Sequence, residues 1–166
     1  MKKTSLLLAM AFAVTGLFAQ SPIGEGEKQV NFGTGFSSWG IPFYVGMDFG
    51  VHPDITVGFN LSYRSFNSRW VSDDYRLSVI GIFGNGNYHF NRILNIPEPW
   101  DFYAGLSLGF VSVSAPSGYD GGTISGVGID GQVGCRYYWS DRWAVNLEFG
   151  GGNAASGGRI GLSYKL

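Results

Sequence analysis

An all-β fold, an eight-stranded antiparallel up-and-down transmembrane β-barrel behind a cleavable signal peptide, is what the sequence predicts, on three observations. Eight alternating runs are separated by turn-forming residues; one face of those runs is continuously apolar while the other is small and polar; and tryptophans flank the runs at both ends. Composition sets the frame. The 166 residues suffice for one domain, and charged residues make up 14% of them, against about 25% in an ordinary soluble domain. Gly reaches 27 and aromatics 16%. The formal net charge of -1 offers no basic field for nucleic acid, and no acidic tail is present.

The first residues read as a targeting segment. Lys2 and Lys3 precede the apolar run "LLLAMAFAVTGLF" and Ala19, which is the pattern of a secretory signal peptide cut after Ala19. The apolar run is too short for a spanning helix of about 20 residues. The chain therefore divides into a signal peptide (1–19), a periplasmic N-terminal linker (20–29) and a barrel (30–166). Export permits disulfides, but Cys135 is the single cysteine, so no intramolecular bridge forms.

The runs fall at 30–37, 41–51, 55–66, 75–90, 101–114, 124–139, 143–151 and 158–166, and no helix is expected. Their connections alternate in character. "HPD" and "SDR" are tight and "NRILNIPEP" is compact, whereas "SSWG", "NSRWVSDD", "APSGYDGGT" and "GGNAASGG" are looser. One end of the barrel thus carries short turns and the other loops. In 41–51, Ile41, Phe43, Val45, Met47 and Phe49 oppose Tyr44, Gly46, Asp48 and Gly50; in 127–139, Val127, Ile129, Val133, Cys135, Tyr137 and Trp139 oppose Gly128, Asp130, Gln132, Gly134 and Arg136. A soluble ligand-binding barrel would put its apolar face inside and clothe the outside with Lys, Glu and Thr. Here the polar face is mostly Gly, Ser and Asn, which suits a narrow interior and suits open water poorly.

Tryptophan placement agrees with that assignment. Trp100, Trp139 and Trp143 stand at the short-turn end and Trp39 and Trp70 at the loop end, where aromatic girdles meet the two membrane interfaces. An open sheet edge in hydrocarbon would leave backbone groups unpaired. The strand near Val30 is therefore expected to pair with the strand near Leu162, closing eight strands around side chains that just fill the interior.

By this pattern the chain resembles the small eight-stranded outer-membrane barrels of the OmpA/OmpX type, over residues 30–166. The most specific part is the ending "RIGLSYKL". It is similar to the family's C-terminal assembly signal, with Arg159, Gly161 and Tyr164 in place and Leu166 where the family usually carries an aromatic. The resemblance implies a Gram-negative outer membrane. Its implied partners are outer-membrane lipid, periplasmic chaperones and the barrel-assembly machinery. It also implies that no peptidoglycan-binding domain follows the last strand. A monomer is expected.

Chemical motifs dissolve on inspection. "GVGIDG" fits a dinucleotide fingerprint but lies within an alternating strand with no helix after it. His52 and His89 stand at the short-turn end, where turn and lumen hydrogen bonds account for them. The His-x-Ser pattern of lipid A deacylase barrels is absent, and the outer loops hold no His for a palmitoyltransferase set. The sequence thus points to no enzyme: no catalytic, cofactor or metal residues are assigned. The expected function is a non-enzymatic integral barrel serving membrane integrity or surface contact, with a narrow porin-like channel for ions or small solutes as the alternative. Two finer expectations concern the interior. Arg136, Glu148 and Arg159, with Asp48, should form one hydrogen-bonded cluster that plugs the lumen, because an unpaired charge there would cost several kcal/mol. The fourth run switches its apolar residues from odd to even positions near Val79 and Ile80, which predicts a β-bulge at that point.

Overall fold

The computed structural model describes residues 23–37, 40–70, 73–118, 125–153 and 156–166. Eight strands form one sheet closed on itself in sequence order: β1 (Lys28–Ser37), β2 (Ile41–His52), β3 (Ile55–Trp70), β4 (Asp73–His89), β5 (Trp100–Ser114), β6 (Gly126–Tyr138), β7 (Trp143–Gly152) and β8 (Gly157–Lys165). Every neighbouring pair is antiparallel. Closure joins β1 to β8 from Gln29↔Lys165 to Ser37↔Gly157, with Val30 opposite Tyr164 and Phe32 opposite Leu162. The strand pairing expected from the chain ends is therefore the one found. β1 begins at Lys28, so it takes the last two residues of the segment assigned as linker.

Burial is inverted relative to a water-soluble barrel. Leu106 is 69% exposed and Phe43 and Val127 are each 63% exposed, all on the outer face. Gln29, Asp48, Thr56, Asp101, Arg136 and Asn146 are buried on the inner face. The two-residue period of a strand produces this division without exception along β5, where Asp101, Tyr103, Ser107 and Val111 point inward and Phe102, Leu106, Leu108 and Phe110 outward.

Two expectations are corrected. A helix does occur: α1 (Asn91–Leu94), a single turn in the connection between β4 and β5. Asn95, at φ 50°, ends it in the left-handed conformation that Asn tolerates. Asn91 holds it to β5, donating to the Trp100 carbonyl (2.5 Å) and accepting from the Phe102 N–H (3.2 Å).

The β-bulge near Val79 and Ile80 is absent. β4 runs in unbroken register against β3 from Ile55↔Tyr88 to Trp70↔Asp73, and against β5 from Ser78↔Ser114 to His89↔Tyr103. Its odd residues from Leu77 to His89 face inward, so Leu77, Val79 and Phe83 lie inside the barrel, with Val79 only 1% exposed. The physical reason is that the interior is not polar along its whole length. Toward the loop end Val79, Phe83 and Val111 pack together with Phe66 and Val113 against them. Apolar side chains have an inner site there, and no bulge is required to turn them outward.

Candidate functional site

The inward positions bring ionised groups from five strands into two centres. Arg136 on β6 stands opposite Asp101 on β5, and its Nη1 donates to Asp101 Oδ2 (3.1 Å) while Nη2 donates to Asp48 Oδ2 across the lumen (2.8 Å). The guanidinium is 3% exposed and lies 4.3 Å from the centre of the Tyr103 ring. In the second centre Arg159 on β8 stands opposite Glu148 on β7 and is ion-paired with it. Arg159 also lies 5.1 Å over the Tyr44 ring.

Tyr103 joins the centres. Its face receives Arg136, and its hydroxyl donates to Glu148 Oε2 (3.0 Å). Room for the ring comes from Gly134, where a Cβ would fall 2.4 Å from Tyr103 Cζ. Around this core amides and hydroxyls supply further hydrogen bonds, although the buried Arg136 Nε has no partner among the described residues. Asp48 accepts from Asn31 (2.9 Å) and Asn85 (3.1 Å). Tyr44 donates to Asn146 (2.6 Å), Asn146 to Ser163 (2.9 Å), and Ser163 to Asn31 (2.7 Å). Such pairing offsets the desolvation that a buried ion would otherwise suffer.

Of the residues selected from the sequence, Asp48 and Arg136 meet directly, and so do Glu148 and Arg159. Arg136 and Glu148 do not pair with each other: Arg136 stands opposite Asn146 and Glu148 opposite Gly134. Asp101 and Tyr103 were missed. Asp101 shares the inward parity of β5 and sits at the register position opposite Arg136, so counting back from the compact turn would have found it. Tyr103 carried a register signal as well: it and Glu148 both stand opposite Gly134, so the ring reaches the carboxylate over the small residue between them.

The interior is not solid. A cavity of ≈100 Å³ opens toward the loop end, lined by Arg64, Asp130, Glu148 and Arg159 among others, and a smaller one of ≈40 Å³ lies among the ion pairs. Neither reaches His89. That imidazole sits between Thr56 Oγ1 (3.0 Å from Nε2) and Asp101 Oδ1 (2.7 Å from Nδ1), an order that matches a hydroxyl nucleophile, base and orienting carboxylate. All three side chains are buried, and the second Asp101 oxygen is the one that meets Arg136.

On the outer face Trp100, Trp139 and Trp143 gather at the short-turn end. Trp139 and Trp143 stack at 6.3 Å, Trp100 lies 4.8 Å from Tyr137, and Trp143 lies 4.7 Å from Tyr164. Trp39 lies outside the described residues, and Trp70 is described only as backbone in β3. In the terminal segment Arg159 and Gly161 face the lumen, Tyr164 accepts from Arg142 (3.2 Å), and the Leu166 N–H donates to the Lys28 carbonyl (3.0 Å).

No family model matches the sequence, and no curated protein sequence matches it. Solved structures do. The outer membrane protein OprG from Pseudomonas aeruginosa superposes with a TM-score of 0.64 at 9% identity, over 88% of this chain and 99% of that one. Neisserial surface protein A (NspA) gives 0.56 at 14% identity, over 84% and 95%. A de novo designed transmembrane β-barrel gives 0.54 at 16% identity, over 86% and 97%. At such identities the likeness is one of fold. The chain has the architecture of the small eight-stranded outer-membrane barrels.

Proposed function

We propose that this chain is a non-enzymatic integral outer-membrane barrel of a Gram-negative bacterium, with a plugged polar lumen, serving membrane integrity or surface contact. The observation that carries the reading is the inversion of burial: ion pairs and amides are enclosed while large apolar side chains stand outside, which is stable when the outside is hydrocarbon. Residues 1–19 are the signal peptide, and the barrel wall runs from β1, which begins at Lys28, through β8. Trp100, Trp139 and Trp143 sit at one membrane interface. Arg159, Gly161, Tyr164 and Leu166 form the ending read by the barrel-assembly machinery after periplasmic chaperones deliver the chain. The barrel works as a monomer. Surface contact draws support from NspA, which is named as a surface protein.

The mature protein is expected to stay folded in detergent and to migrate differently on a gel before and after boiling. Identical migration would count against a closed membrane barrel. A narrow channel is the second reading, favoured by the polar cavities, which share Asn60, Ser107, Gln132, Glu148 and Arg159 as lining. Planar-bilayer recording separates the two. A plugged barrel is expected to be nearly silent, and steady open-channel currents would replace the plug with the channel.

A further inference from the structure

Residues 23–27 do not trail away from the barrel. They fold back into its short-turn mouth. Gly24 and Glu27 close a tight turn in which the Glu27 N–H donates to the Gly24 carbonyl (3.1 Å) and the Gly24 N–H to the Glu27 carboxylate (2.8 Å). Gly26, at φ +84°, supplies the left-handed corner that such a turn needs.

Backbone bonds on both sides of Gly50 fix this turn to β2. The Gly50 N–H donates to the Glu27 carbonyl (3.0 Å), and the Gly26 N–H donates to the Gly50 carbonyl (2.9 Å). Gly50 belongs to the lumen face of β2, the face that carries Asp48. A Cβ on it would fall 1.9 Å from the Gly24 carbonyl oxygen, so the returning chain occupies the volume where an inward side chain would stand. The preceding residue, Ile23, is 0% exposed. An apolar side chain is thereby buried at the end of a lumen whose neighbouring inward groups are polar: Tyr138 donates to Gln29, and the Lys165 ammonium lies 4.8 Å over the Tyr138 ring.

We propose that Ile23–Glu27 is a stopper seated in the short-turn mouth, a closure separate from the two ion-pair centres, and that Gly50 is the residue that admits it. The proposal rests on the plugged-lumen reading and deepens it. The ion pairs obstruct the middle of the barrel, whereas the stopper shuts one end.

Thiol accessibility tests it in the full-length barrel folded in detergent, with Cys135→Ala removing the native thiol. A charged maleimide is expected to label Ile23→Cys at least about tenfold more slowly than Glu25→Cys, because reaction at a buried site waits on local opening. Adding Gly50→Val is expected to raise the Ile23→Cys rate to that of Glu25→Cys. Gly26→Val gives a second route: nothing lies within 4 Å of its Cβ, so it strains the turn without touching β2. Each variant is first checked for the heat-dependent gel shift. Equal rates at positions 23 and 25 without Gly50→Val would overturn the stopper, and so would continued protection of position 23 in both valine variants. The two readings fail separately, since labelling decides whether the segment seats and bilayer currents decide whether the lumen as a whole is shut.

Discussion

Arg136→Met is expected to destabilise the folded barrel by about 3–5 kcal/mol, the cost of leaving buried carboxylates without their cation. Asp48 and Asp101 both depend on this guanidinium, at 2.8 and 3.1 Å, and neither is open to solvent. Methionine keeps much of the side-chain length, so the loss reports charge rather than volume. Adding Asp48→Asn and Asp101→Asn removes the orphaned charges while each amide keeps one oxygen to accept, from Asn31 or Asn85 at position 48 and from His89 at position 101. The triple variant is expected to recover most of the stability. Urea unfolding in micelles measures both steps. A loss below about 1 kcal/mol, with no recovery in the triple variant, would mean that these charges are solvated as surface ion pairs are.

The second large effect belongs to the outer face. Leu106 lies at the middle of β5, flanked across the sheet by Gly86 and Gly131, with nothing to shield a charge placed there. Leu106→Arg is expected to cost about 2–4 kcal/mol, as cations do near the bilayer midplane. Ser107, the next residue, points inward and lines both cavities. Ser107→Arg should cost less, since a long side chain has space and polar partners inside. Equal costs in lipid vesicles would show that the two faces are wrongly assigned.

The outer face of this barrel was legible because strand periodicity is rigid: once Ile41, Phe43 and Val45 are aligned, every second residue follows. Closure was legible because hydrocarbon tolerates no unpaired edge. Where reading the sequence failed, it assumed a uniform interior. Leu77 and Val79 were turned outward by a supposed bulge because they are apolar, whereas both lie inside, Val79 in an apolar cluster with Phe83 and Val111. The single helical turn at Asn91 escaped because four residues are too few for a periodic signal. The charged site was half readable. Glu148 and Arg159 are cross-strand neighbours, and Asp48 could be placed by its distance from the turns. Tyr103 was readable by the same register and was overlooked: it and Glu148 both stand opposite Gly134, which is small enough to let the ring pass over it.

The position of Tyr103 has a thermodynamic consequence. One aromatic ring carries a cation on its face and an anion on its hydroxyl, so Arg136 and Glu148 are energetically coupled although they do not pair. Losses at the two ion pairs will not add as independent sites do. Damage to either one frees the ring and loosens the other, and the lumen yields as a single cooperative unit.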